Sequence, residues 1–195
     1  MDKVFKCLGA TNHAVGQRQS EDYYTTPEYV TDKLCNWLKE NIPESLNWDI
    51  WECAAGNGRI INSLKNNGFE VVTYSDIVDR GLPGVEILDF LNAEKKDVDC
   101  ILTNPPYSVA TEFAEKALSL LDENGYYIML GRIQFLEGKK RGKLFDKNPP
   151  KYVLIYRERV DCWKDDVETK SSGALCYAWF IFEKGFNGKP TIDWL

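Results

Sequence analysis

The chain has 195 residues, which fits one globular domain and at most two. With 44% hydrophobic and 28% charged residues it can build a packed core, and no apolar run reaches the roughly 18 residues of a membrane span. Residues 1–10 lack the apolar segment of a secretory signal, and the six cysteines form no C-x-x-C pair. We therefore expect a cytoplasmic protein with reduced thiols and no metal site.

The charged residues are unevenly distributed along the chain. The whole chain has a net charge of −6, whereas residues 132–159 carry nine basic and three acidic side chains, a net charge of +6. Such a segment is typical either of a solvated surface or of a site that binds the phosphates of a nucleic acid. Under the second interpretation, the candidate substrate contacts are Arg132, Lys139, Lys140, Arg141, Lys143 and Lys147.

Hydrophobic periodicity and turn residues predict alternating strands and helices after a polar arm over residues 1–26. Pro27 opens the first helix, in which Val30, Leu34 and Leu38 share one face. The predicted helices cover residues 27–41, 60–67 and 111–121, and the predicted strands cover residues 48–54, 69–74, 85–88, 99–103, 126–130, 152–156 and 175–182.

This alternation predicts an α/β fold with a mostly parallel sheet. The strands are almost continuously apolar, so helices should cover both faces of the sheet. The last two strands are joined by the charged segment 157–173, which has no helix-length apolar pattern. We therefore expect these two strands to form an antiparallel pair at one edge of the sheet.

Three polar motifs follow the first three predicted strands. The segment Glu52-Cys53-Ala54-Ala55-Gly56-Asn57-Gly58 has small residues that let a ligand approach the backbone before a helix, although two glycines can also serve a purely structural turn. Asp76 ends the next strand, where a carboxylate can accept hydrogen bonds from ribose hydroxyls. Asp89 and Phe90 follow the third strand and suit an adenine ring, because Asp89 can accept from its amino group while Phe90 packs on its face.

The fourth strand ends in the most specific motif, Asn104-Pro105-Pro106-Tyr107. The two prolines fix the backbone, so the Asn104 side chain and the Pro105 carbonyl can act as paired acceptors for an exocyclic NH2 group. Tyr107 then offers a ring on which a planar base can stack. A second copy, Asn148-Pro149-Pro150-Lys151, follows a charged stretch and lacks the aromatic residue, so we interpret it as a loop.

In this order, the motifs resemble those of class I S-adenosylmethionine-dependent methyltransferases that modify amino nitrogens, in particular the short phage and prophage adenine-N6 DNA methyltransferases. Residues 52–58 are similar to motif I, residues 75–77 and 89–91 to the ribose and adenine motifs, and residues 22–27 to motif X, which contacts the cofactor carboxylate. Residues 104–107 are similar to the catalytic motif IV. The resemblance implies that the catalytic residues are Asn104, Pro105, Pro106 and Tyr107, and that S-adenosyl-L-methionine contacts Tyr24, Thr25, Thr26, Glu52, Ala54, Gly56, Asn57, Gly58, Asp76, Ile77, Asp89, Phe90 and Asn104.

The resemblance also implies a Rossmann-like class I methyltransferase fold, with a seven-stranded, mostly parallel sheet that has an antiparallel edge strand. One domain would span residues 1–195, with the arm over residues 1–26 and basic, loop-rich substrate-binding insertions over residues 132–173. We expect no separate target-recognition domain of the kind that larger members carry. The implied reaction transfers a methyl group to N6 of adenine in DNA and leaves S-adenosyl-L-homocysteine, with the adenine flipped out of a duplex or taken from a single strand, in a bacterial or phage-infected cell.

Two alternatives to this function stay open at the level of sequence. The same catalytic motif serves methylation of an RNA base or of a protein glutamine, and the basic segment 132–159 favours nucleic acid without distinguishing DNA from RNA. The chain could also be a catalytically silent cofactor- or DNA-binding module. The intact Asn104 and Tyr107 argue against a silent module.

Overall fold

The computed structural model describes residues 24–160, 162–164 and 175–195. Most of the predicted arm, including the Asp22-Tyr23 part of the motif X segment, lies outside these residues. The described strands are β1 Tyr24–Thr25, β2 Asp49–Glu52, β3 Glu70–Asp76, β4 Glu86–Ile87, β5 Cys100–Thr103, β6 Tyr126–Arg132, β7 Tyr152–Ile155, β8 Trp163–Lys164, β9 Tyr177–Glu183 and β10 Thr191–Trp194. The helices are α1 Glu28–Asn41, α2 Arg59–Asn66, α3 Ala110–Leu120 and α4 Lys139–Lys147.

The main sheet contains eight strands in the order β10-β7-β9-β6-β5-β2-β3-β4. All neighbouring strands are parallel except that β9 runs antiparallel to both β6 and β7. The α/β class, the mostly parallel sheet and the antiparallel pair near one end are therefore confirmed. The prediction of seven strands is wrong, because β10 adds an eighth strand beside β7.

Apolar residues alternate between two cores, one on each face of the sheet. In β5, Cys100 and Leu102 pack with α1 and α2, whereas Ile101 packs with α3 on the opposite face. In β9, Trp179 and Phe180 are likewise divided between the two cores. Successive strand residues point to opposite faces, so a strand that is apolar throughout must be covered on both sides. The prediction that helices cover both faces is confirmed.

The helix boundaries follow local chemistry. Pro27 precedes α1, in which Val30, Leu34 and Leu38 form a fully buried stripe. Gly58 precedes α2 with a φ of 85°, a left-handed conformation that favours glycine. The sequence prediction missed α4, because its basic residues surround only one buried side chain, Leu144. It also missed β10, whose residues are mostly exposed.

A second, two-stranded sheet lies outside the main one, where β1 pairs antiparallel with β8. Tyr24 and Thr25 of β1 thereby contact a segment that lies almost 140 residues later in the sequence. None of the described helices is long and apolar enough to cross a membrane. In the same ranges, no group of three or more His, Cys, Asp or Glu side chains is arranged to hold a metal ion.

Candidate active site

The polar motifs meet at one edge of the main sheet. The strands β2, β3 and β5 lie side by side and are parallel, so their carboxyl ends face the same way. In an open α/β sheet this edge is where ligands bind. A cavity of about 330 Å³ opens there and is lined by residues of β1, of the loop after β2, of the end of β3 and of the loops after β4 and β5.

The loop after β2 is tied to the end of β3 by hydrogen bonds. The backbone N–H of Ala55 donates to the carbonyl of Ser75 at 2.9 Å, and the N–H of Gly56 donates to Asp76 Oδ2 at 2.8 Å. Gly56 has a φ of 56°, which turns the backbone sharply towards α2. This loop therefore presents its backbone to the cavity, as the small residues predicted.

Asp76 is almost fully buried, with 6% of its surface exposed, and lines the cavity. Its Oδ2 atom accepts from the N–H of Gly56, and its Oδ1 atom accepts from the N–H of Val78 at 2.9 Å. Each carboxylate oxygen has a second lone pair, so both can still accept from a ligand hydroxyl. The two backbone donors fix the orientation of the carboxylate before any ligand arrives.

Asp89 and Phe90, the residues predicted to bind an adenine ring, have different surroundings in the structure. Asp89 lines the cavity, and its carboxylate accepts from the N–H of Leu91 and from the side-chain amide of Asn92. Phe90 is only 2% exposed and packs against Trp51 and Phe113. Its ring is therefore largely part of the core rather than an open stacking face.

An exposed apolar side chain lies directly after Asp76. Ile77 is 62% exposed and lines the cavity. Leu88, Leu91 and Val109 line the same cavity and supply further apolar contacts. Apolar side chains beside a few polar groups are the usual lining of a ligand cavity.

Asn104 has the most informative contacts of the site. Its Nδ2 atom donates to the carbonyl oxygen of Tyr24 at 2.9 Å and to the hydroxyl oxygen of Thr26 at 3.1 Å. A carbonyl oxygen is only an acceptor, so the NH2 group of the amide must face β1. The buried Oδ1 atom has no hydrogen-bond partner among the described residues. The Asn104 amide is therefore held in one orientation, with an acceptor that no described residue uses.

Tyr107 lies in a cluster of side chains rather than standing alone. Its ring stacks on Tyr24, with centroids 5.6 Å apart and planes inclined by 30°, and lies 6.0 Å from the ring of Tyr177. The Arg132 guanidinium lies 4.8 Å from the Tyr107 ring centroid. Burial holds the pKa of Tyr107 well above its usual range, so the hydroxyl stays protonated at neutral pH. Part of the ring predicted to receive a base is thus already in contact with protein.

Glu52, an implied cofactor contact, does not lie in the cavity wall. It is fully buried, and its Oε1 atom accepts from the N–H of Ala54 at 2.9 Å. Burial raises the pKa of Glu52 to about 8. Its visible role is to shape the loop after β2. Gly58 is also absent from the cavity wall and acts at the start of α2.

The basic residues predicted to contact substrate have four different surroundings. Arg132 ends β6 and its guanidinium lies against the Tyr107 ring, although neither residue is part of the cavity wall. Arg141 donates to the carbonyls of Glu137 and Gln134 and braces the turn before α4. Lys140 pairs with Glu112 of α3, whereas Lys139, Lys143 and Lys147 have no ion-pair partner in the described part of the chain.

The cavity wall contains most of the predicted cofactor residues and several that the sequence did not indicate. Of the predicted set, Glu52 and Gly58 alone are missing from the wall. Two arginines were missed, Arg59 directly after the glycine loop and Arg80 after the strand that ends in Asp76. Their positions next to motif residues were the only available signal. The catalytic-motif prolines differ, since Pro106 lines the cavity and Pro105 is buried outside the wall.

No protein-family model matches the chain, and no curated protein matches it in sequence. Solved structures do match. A protein provisionally described as an RNA methyltransferase, from Pyrococcus horikoshii, has a TM-score of 0.60 and 16% identity over 83% of this chain and 86% of its own. A protein provisionally described as a class I S-adenosylmethionine-dependent methyltransferase, from Listeria monocytogenes, has a TM-score of 0.61 and 15% identity over 92% of this chain and 67% of its own.

The M protein of the type I restriction enzyme EcoKI is a third similar structure. It matches with a TM-score of 0.58 and 14% identity over 86% of this chain, which corresponds to 45% of the M protein. At these identities the comparisons establish the architecture alone. The chain therefore has the α/β fold of S-adenosylmethionine-dependent methyltransferases.

Proposed function

We propose that this protein transfers a methyl group from S-adenosyl-L-methionine to the N6 amino group of adenine in DNA. The observation that carries the proposal is the buried, unpartnered Oδ1 atom of Asn104, a residue that lines the same cavity as Asp76. A buried acceptor without a partner costs free energy of about 1–3 kcal/mol, which a donor on a ligand would recover. An exocyclic amino group is such a donor.

The cavity residues fit the chemical groups of S-adenosyl-L-methionine. The Asp76 carboxylate would accept from the ribose hydroxyls, and Ile77 and Asp89 would bind the adenine ring by its face and its amino group. Thr25 contributes a buried hydroxyl that has no partner among the described residues, which suits a polar group at the methionine end. When bound, the sulfonium supplies an electrophilic methyl group.

The chain's own residues then position the nucleophile. Asn104 would accept a hydrogen bond from the substrate amino group while β1 holds its amide in the required orientation. As the nitrogen attacks, positive charge develops on it, so this hydrogen bond strengthens in the transition state. No general base is required before transfer, because the amino group can lose its proton afterwards.

DNA is the substrate that we favour. Residues 132–159 are strongly basic in an acidic chain, which supports a nucleic acid over a protein. The order of the motifs resembles that of phage adenine-N6 DNA methyltransferases, and one similar structure is the M protein of a type I restriction enzyme. The second candidate is an amino group in RNA, favoured by the similarity to the Pyrococcus horikoshii protein.

The test is to identify the methylated product. The protein is incubated with methyl-labelled S-adenosyl-L-methionine and with unmethylated DNA, with RNA or with a protein extract, and the digested product is identified by mass spectrometry. We expect N6-methyladenine in the DNA sample. Label only in RNA or protein would refute the substrate, and no label in any sample, together with no cofactor binding, would refute the methyltransferase function.

A further inference from the structure

Arg132 differs from the other residues of the basic segment in its surroundings. It is the last residue of β6, opposite Tyr177 of β9 in the sheet register. Its guanidinium lies 4.8 Å from the ring centroid of Tyr107, which follows Asn104 by three residues. Arg132 is half-buried, unlike the exposed lysines of α4. It therefore lies beside the catalytic motif rather than among the exposed lysines of α4.

One donor of the Arg132 guanidinium, Nε, lacks a partner, although the guanidinium also donates a hydrogen bond to the Tyr177 hydroxyl. The Nε atom is buried and has no hydrogen-bond partner among the residues that the structure describes. In those ranges no carboxylate forms a salt bridge with it. Leaving a buried N–H of a charged group unpaired is unfavourable, and a guanidinium has donors only. A ligand that pairs with Arg132 must therefore present an acceptor.

We propose that Arg132 donates a hydrogen bond from Nε to a ring nitrogen of the target adenine. This inference rests on the proposed function and specifies how its substrate is recognised. With the N6 amino group at Asn104 Oδ1, all the remaining polar atoms on the edge of adenine are acceptors, namely N1, N3 and N7. A carboxamide acceptor three residues before Tyr107 in the sequence and a guanidinium donor against the Tyr107 ring thus form a complementary set for this base.

The experiment compares substrates in which one ring nitrogen is replaced by CH. Single-stranded oligonucleotides carry adenine, 1-deazaadenine, 3-deazaadenine or 7-deazaadenine at the target position, and kcat/KM is measured for the wild type, Arg132→Met and Arg132→Lys. Each deaza base also changes the intrinsic reactivity of N6. The ratio of wild type to variant on the same base cancels that change, as in a double-mutant cycle.

We expect one deaza base to lower kcat/KM of the wild type by about tenfold or more relative to the decrease that it causes in Arg132→Met. This factor corresponds to the loss of a hydrogen bond to a charged donor. Arg132→Lys keeps the charge and loses Nε–H, so it should behave as Arg132→Met. The matched control is Arg157→Met, which removes an exposed arginine that is not among the predicted substrate contacts. This control should keep the wild-type ratios, and thermal melting verifies that each variant is folded.

Three results would overturn the inference. If the ratio of kcat/KM between the wild type and Arg132→Met is the same for all four bases, Arg132 does not recognise the base. If Arg132→Lys restores the wild-type kcat/KM in full, the positive charge is sufficient and the hydrogen bond from Nε is not needed. If the Arg132 effect instead disappears on an oligonucleotide with a methylphosphonate beside the target adenine, Arg132 binds a phosphate. In all three cases the wild type still methylates adenine, which leaves the proposed function intact. A wild type that methylates no adenine refutes both.

Discussion

Asn104→Ala is the substitution that tests the proposed chemistry most directly. It removes the Oδ1 acceptor, which is buried and unpartnered in the described structure. By analogy with the loss of one oxyanion-hole donor, the rate should fall by about 10²–10³-fold, equivalent to roughly 2.7–4 kcal/mol of transition-state stabilisation. The substitution also removes the Nδ2 donor to the Tyr24 carbonyl and to the Thr26 hydroxyl, so we expect a moderate loss of stability.

The assay is a single-turnover measurement with enzyme and cofactor in excess over DNA. It reports the chemical step and is insensitive to product release. Cofactor affinity, measured by calorimetry, should fall far less than the rate, because Asn104 is an implied cofactor contact but makes none of the proposed ribose or adenine contacts. A melting curve shows whether the variant is folded at the assay temperature.

The second N-P-P segment supplies the matched control. Asn148 directly follows α4, and its N–H caps that helix by donating to the carbonyl of Leu144 at 2.7 Å. It lies outside the cavity wall, so Asn148→Ala should leave the single-turnover rate nearly unchanged. A rate that falls for Asn148→Ala and holds for Asn104→Ala would refute the assignment of the active site.

Three further predictions concern the cofactor, pH and DNA binding. Asp76→Ala should weaken cofactor binding at least tenfold by calorimetry, since up to two hydrogen bonds to a charged acceptor are lost, and unchanged affinity would contradict the ribose site. The pKa of Glu52 is raised from 4.5 to about 8, so the free energy of unfolding should fall as pH rises through that window, by at most about 1.4 kcal/mol per unit, and urea titrations of Glu52→Gln should lack this decrease. An equal decrease in the variant would assign it to other groups. Replacing Lys139, Lys143 and Lys147 by Gln should lower the log–log salt slope of DNA binding by about 0.9 per lost phosphate contact, and an unchanged slope would return this segment to a solvated surface.

The fold class and the edge of the sheet that carries the polar motifs were predictable from sequence. The apolar strands and the turn residues that end them determine the α/β class and the two covered faces, because a strand that is apolar at every position must be buried on both sides. The polar motifs that follow β2, β3 and β5 could be assigned to one site for a similar reason. Parallel strands bring their carboxyl ends to the same edge.

Residues whose surroundings come from distant segments were decided by the tertiary structure. Glu52 and Asp76 both end a strand, but Glu52 is fully buried outside the cavity wall, whereas Asp76 lines the cavity. Arg132 and Lys139 belong to the same basic segment, but the register of β6 with β9 places Arg132 against Tyr107. Composition and spacing specify which groups a chain contains and in what order. Which of them meet, and which buried atoms find no partner, depends on contacts between residues far apart in the sequence, so only the folded chain decides it.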